Sequence, residues 1–116
     1  MAFKSRYLIK THRLVEAEDL PELTSELREI FSDLRESVLI LDPYRCLGLP
    51  SHALKGQLSS CRAIEIDWNG MAYRLVYRIY DAPAPRRVLV LSFAEHDPAY
   101  ERAMVKDWSK TIARKP

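Results

Sequence analysis

Residues 61–80 read CRAIEIDWNGMAYRLVYRIY, and this stretch decides the fold. Cys61–Trp68 alternates, with Ile64 and Ile66 on one face, so it predicts a strand. Asn69-Gly70 is a two-residue hairpin signal, because both residues tolerate the positive φ that such a turn requires. Tyr73–Tyr80 alternates again. Tyr73, Leu75, Tyr77 and Ile79 share one face, while Arg74, Val76, Arg78 and Tyr80 share the other. Beyond it, DAPAPRR is a proline-broken turn. Val88–Phe93 (VLVLSF) is nearly continuous in apolar residues, which predicts a central strand covered on both faces.

Working outward, residues 43–60 form an irregular connector with Gly48, Pro50 and Gly56. Upstream of it, Leu23, Leu27, Ile30, Phe31, Leu34, Val38 and Leu41 recur at spacings of three and four. They predict one amphipathic helix, with Glu22, Glu26 and Glu29 near its positive end and Asp42-Pro43 as its stop. Thr11–Leu20 reads as a shorter helix ended by Pro21, and residues 6–10 as a first strand. After the last strand, Asp97-Pro98 opens a C-terminal helix whose Tyr100, Met104, Trp108 and Ile112 make a thin stripe. Strands segregated from helices define an α+β domain, in which a helical hairpin covers one face of a small antiparallel sheet. The face bearing Arg74 and Arg78 is left for function. Residues 1–116 form a single domain.

Composition narrows the class. The chain has 116 residues, 47% apolar and 29% charged, which excludes disordered and collagen-like chains. No apolar run approaches the roughly 20 residues of a membrane span, and the start shows no secretory stretch. A cytoplasmic protein with no membrane partner is expected. Cys46 and Cys61 are too few for a disulfide framework or a zinc quartet and read as small buried residues. His12, His52 and His96 have no metal-ligand spacing, so neither metal nor cofactor is expected. Net charge is +2. Residues 1–58 carry 8 Lys/Arg against 9 Asp/Glu, and residues 59–116 carry 10 against 7, so the excess is C-terminal and mostly arginine.

That basic and aromatic set is Lys55, Arg62, Arg74, Arg78, His96 and Tyr100. Such residues can break RNA without metal. A base takes the 2′-hydroxyl proton, arginines stabilise the pentavalent phosphate, and an acid protonates the leaving 5′ oxygen. Histidine and tyrosine suit the proton roles or stack on a base. Plainer roles stand beside these. Arg74 can pair with Glu65 or Asp67 on a surface, Tyr100 can pack the last helix, and His96 can be a helix-start residue without a task. Glu65 and Asp67 share a face and read as solvated or arginine-paired rather than as an acid and a base.

The run LDPYRCLGLPSHALKGQLSSCRAIEIDWNGMAYRLVYRIYDAPAPRRVLVLSFAEHDPAYERA resembles the RelE/ParE superfamily of toxin–antitoxin toxins. The similarity is carried by DPYR after a helix, LKG at Leu54–Gly56, YRLVY at Tyr73–Tyr77 after a hairpin, an apolar strand, and HDPAY at His96–Tyr100. It implies a RelE-like fold and a ribosome-dependent messenger RNA endoribonuclease that inhibits translation and is blocked by a cognate antitoxin. Arg74 falls on the arginine that contacts the scissile phosphate, and Tyr100 on the tyrosine that positions or stacks on the RNA. His96 falls on a basic position. With Arg74 these are the catalytic candidates, and Lys55, Arg62 and Arg78 are the RNA-binding ones. The sequence departs from the family where active members carry lysines, since Ala63 and Glu65 stand there. The usual general base is therefore not visible. Either His96 replaces it or the chain is weakly active or silent. The ParE branch, which acts on DNA gyrase by binding, shares the fold and needs no ribonuclease site.

Overall fold

The computed structural model describes residues 6–95 and Ala103. The expected C-terminal helix, and with it His96 and Tyr100, lies outside the described residues. Five strands, β1 (Leu8–Thr11), β2 (Ser51–Ala53), β3 (Cys61–Trp68), β4 (Met71–Tyr80) and β5 (Arg87–Glu95), form one sheet in the order β1-β5-β4-β3-β2. The hairpin pairs Trp68 with Met71. Asn69 and Gly70 between them sit at φ 51° and 77°, the two left-handed residues that a tight turn matched to strand twist requires.

β5 is the central strand that its apolar run predicts. It pairs antiparallel with β4 and parallel with β1. The parallel edge makes the sheet mixed, and β1 sits two residues later at its start than the expected 6–10. The β4–β5 register contains a bulge. Val76 faces Ser92 and Tyr77 faces Val90, so Leu91 is the extra residue. Alternation on β5 therefore inverts. Val88, Val90 and Phe93 join the core under the helices, whereas Leu89, Leu91 and Ala94 pack on the opposite face. β2 arises inside the connector that reads as irregular. His52 there pairs with Ala63 of β3.

The helical layer departs from its regular period. Val15–Asp19 is π-helical and runs into a 3₁₀ turn at Leu20–Glu22, with Pro21 among its first positions, where a missing N–H costs nothing. Thus Pro21 does not end the segment. Helix α1 (Ser25–Asp33) is capped by Thr24, whose side-chain oxygen accepts the Leu27 N–H at 3.2 Å. It then widens to a π-helical stretch, Leu34–Leu39. Leu27, Phe31 and Leu34 are buried as the stripe predicts, but the wider turn buries Leu39 (0% exposed) and leaves Leu41 at 52%.

Phe31 stacks on Phe93 at 5.7 Å between ring centroids, joining α1 to β5. Asp19, fully buried, accepts the Phe93 N–H at 2.9 Å and ties the first helical segment to the same strand. The far face of the sheet is not wholly open. Leu58, Cys61, Ala63, Val76, Leu91, Ala94 and Ala103 form a second, smaller core there. Cys46 and Cys61 are both buried thiols. Among the described residues no helix is long and apolar enough to cross a membrane.

Candidate functional site

The side chains available for chemistry on the face away from α1 are set by strand alternation. On β4 the positions are Arg74, Val76 and Arg78. Their β3 partners are Glu65, Ala63 and Cys61. At one end, three strands converge. Arg74 Nη2 lies 2.8 Å from Glu65 Oε1, and His52 Nδ1 on β2 lies 3.1 Å from Glu65 Oε2. One carboxylate therefore joins a guanidinium and an imidazole, using one oxygen for each.

The Arg74 side chain is only 12% exposed, while Glu65 and His52 are 38% and 44% exposed. A guanidinium so enclosed needs its donors satisfied. Nη1 donates to the Tyr73 carbonyl at 3.1 Å, and Nη2 goes to Glu65. Its Nε is buried without a hydrogen-bond partner among the described residues. The arginine is held from two sides but is not saturated. The ion pair between Arg74 and Glu65 is the plainer role that the shared face of these residues suggests, and it is present.

The other candidates separate. Arg78 lies on the same face four residues on, about 13 Å along the strand, beyond the buried Val76, and it donates to Ser60 Oγ at 3.1 Å. Lys55 is exposed at the start of the 3₁₀ turn Gly56–Leu58, near that second end, because Leu54 N–H bonds to the Cys61 carbonyl. Arg62 points to the helix side, where its Nη2 donates to Ser51 Oγ at 3.2 Å, so it does not join Arg74. His96 and Tyr100 lie outside the described residues. β5 ends at Glu95, which pairs with Tyr73.

Sequence reasoning assigned no role to His52. Its strand has three residues and no alternation to read; the available signal was the short hairpin that SHALKGQLSSC makes with β3. Glu65 was visible, but its bridging position depends on His52.

Two other clusters are built for stability. Tyr7 donates to Asp81 Oδ1 at 2.8 Å, Tyr44 donates to Oδ2, and Arg86 lies over the Tyr7 ring at 4.2 Å. The hydrogen bonds from Tyr44 and Tyr7, with Arg86 nearby, hold the Asp81 carboxyl below the usual carboxylate range. Its bond to Asp81 pushes Tyr44 up to about 12. Within the core, Tyr77 donates to the Pro43 carbonyl at 2.6 Å, Cys46 Sγ lies 3.1 Å from the same phenol oxygen, and burial raises the Tyr77 phenol. A shallow cleft of about 210 Å³ beside Tyr73 and Phe93 is rimmed by Asp19, Glu22 and Glu95. None of the described residues lining it is basic, so it offers a phosphate less than the Arg74 end of the sheet does.

No protein-family model matches the chain, and no curated protein matches it. Among solved structures, it is similar to the free-state structure of an arginine-to-alanine double mutant of the Escherichia coli toxin RelE. The two share 20% identity with a TM-score of 0.52, over 87% of this chain and 97% of the other. The fold is therefore RelE-like: a helical layer on one face of the sheet, with Arg74 on the other.

Proposed function

We propose that this chain is a RelE-like toxin: a metal-independent endoribonuclease that cleaves messenger RNA on the ribosome and is held in check by a cognate antitoxin. The observation that carries this reading is Arg74. On a fold similar to a toxin's, its guanidinium stands on the sheet face away from the helices, nearly enclosed and aligned from two sides. An arginine held in this way is preorganised for the charge that develops on a pentavalent phosphate, in a setting with little competing water. Arg74 stabilises the scissile phosphate, and His96 and Tyr100, which follow β5 in the sequence, are the candidates for proton transfer and base stacking. Lys55 and Arg78 attract the RNA backbone from the other end of the same face. Arg62, on the helix side, suits a structural tie better than RNA.

The Arg74–Glu65 pair favours a second reading as well, a silent member that keeps its antitoxin but does not cleave. The carboxylate neutralises the guanidinium that the phosphate needs. Inducible expression in bacterial cells, followed by mapping of messenger RNA ends on ribosomes, separates the readings. New ends within translated codons support the nuclease. Harmless expression supports the silent member. Intact RNA with blocked supercoiling supports gyrase inhibition, the activity of ParE-like relatives.

A further inference from the structure

We infer that His52, in place of His96, is the proton acceptor of this site and that Glu65 is its positioning residue. This rests on the endoribonuclease reading above. His52 Nδ1 faces Glu65 Oε2 at 3.1 Å, and a carboxylate oxygen only accepts, so the proton of the neutral ring sits on Nδ1. That leaves the Nε2 lone pair free for a proton, on a side chain that is 44% exposed. The other oxygen of the same carboxylate holds Arg74 at 2.8 Å. The imidazole and the guanidinium are thus separated by no more than one carboxylate and two hydrogen bonds, a span that one phosphodiester can bridge. A histidine oriented by a carboxylate beside a phosphate-binding cation is the arrangement that general-base catalysis requires.

The chemistry balances. The 2′-hydroxyl proton passes to His52 Nε2 as the 2′-oxygen bonds to phosphorus. The P–O5′ bond breaks, and the leaving 5′-oxygen takes a proton from water. The products are a 2′,3′-cyclic phosphate and a 5′-hydroxyl, and the imidazolium returns its proton to the hydroxide formed. Glu65 stabilises the imidazolium while it lasts. Its negative charge therefore has a use that a lysine at that position does not offer, and β2 restores the basic group that β3 lacks.

The test is single-turnover cleavage of a defined message in translating ribosomes by the full chain, comparing wild type, His52→Ala, His52→Gln and Arg74→Ala. His52→Ala is expected to lower the cleavage rate by about 10²- to 10⁴-fold with ribosome affinity unchanged. Added imidazole is expected to restore part of that rate in His52→Ala and none in Arg74→Ala. A structural role does not produce such rescue. Glu65→Gln is expected to cause a smaller loss than His52→Ala. If wild type and His52→Ala cleave equally fast, or if imidazole restores nothing, His52 is not the acceptor, although the nuclease reading stands. If wild type itself does not cleave, both fall.

Discussion

Replacing Leu39 and Leu41 one at a time separates two descriptions of the same helix. On a regular turn of 3.6 residues, Leu41 continues the stripe from Leu34, and Leu39 lies about 140° away from it. In the structure the turn widens over Leu34–Leu39, Leu39 is fully buried and Leu41 is half-exposed. A buried leucine cut to alanine loses its transfer free energy and leaves a cavity, which costs about 2–5 kcal/mol. Leu41→Ala removes methyl groups already half in water and costs about 0.7–1.5 kcal/mol, half of a full-burial value of about 1.5–3 kcal/mol. With a urea slope of about 1–3 kcal/mol per molar, a loss of 3 kcal/mol moves the Leu39→Ala midpoint down by about 1–3 M. At the same slope Leu41→Ala moves it about half as far or less. Equilibrium urea unfolding followed by circular dichroism measures both, and equal slopes confirm that the shifts are stability changes. A Leu41→Ala variant as destabilised as Leu39→Ala refutes the widened turn and restores the regular stripe.

Arg74→Ala is expected to abolish toxicity on expression. It is expected to shift the unfolding midpoint little, because Glu65 keeps His52 and reaches water; full toxicity in that variant removes Arg74 from the site. Arg74→Lys is expected to remain strongly impaired in cleavage, since an ammonium cannot reproduce the planar fork. Asp81 is held below its ordinary carboxylate value, so its contribution to stability is present above that range and is lost as pH falls through the lowered value. Asp81→Asn is expected to flatten that acid limb of the stability curve. The same variant is expected to bring the Tyr44 phenol down from about 12 toward its ordinary value. Ultraviolet titration of wild type, Asp81→Asn and Tyr44→Phe reads this, and an unmoved phenol contradicts the Asp81–Tyr44 bond.

What the sequence revealed, and what it hid, follows from how local each determinant is. The β3–β4 hairpin was legible because Asn69-Gly70 and two alternating strands are all local signals, and alternation put Arg74 and Arg78 on one face of β4; grouping Arg62 with them failed because the hairpin register sets it opposite Tyr77, on the helix side. The α1 stripe was legible as far as Leu34. Beyond it, Val38 and Leu41 offered the regular spacing, and nothing in the residue types announced that Leu39 would be used instead. The β5 bulge was hidden because Val88, Leu89, Val90 and Leu91 are apolar on both faces, so no alternation was visible to break. The parallel placement of β1 and the three residues of β2 depend on partners far along the chain. That is why His52 went unassigned while Arg74 did not. The Arg74–Glu65 contact was open to inference from the shared face; its extension to His52 was not.

The departure at Glu65 changes what the site must do electrostatically. A lysine beside Arg74 adds a second positive charge and draws phosphate at a distance, whereas Glu65 cancels the charge it touches. A phosphate approaching Arg74 therefore competes with a carboxylate already bound at 2.8 Å. On the endoribonuclease reading proposed above, attraction of RNA then falls to charges elsewhere on the face, Arg78 and Lys55 at its other end, and to the ribosome that holds the message in place. In exchange, the carboxylate fixes the tautomer of a histidine that an isolated lysine cannot orient. Weak capture with an ordered base suits a substrate delivered by another particle, where local concentration is supplied and geometry is the scarce quantity. Hence free RNA is expected to be a poor substrate even when ribosome-bound message is cut.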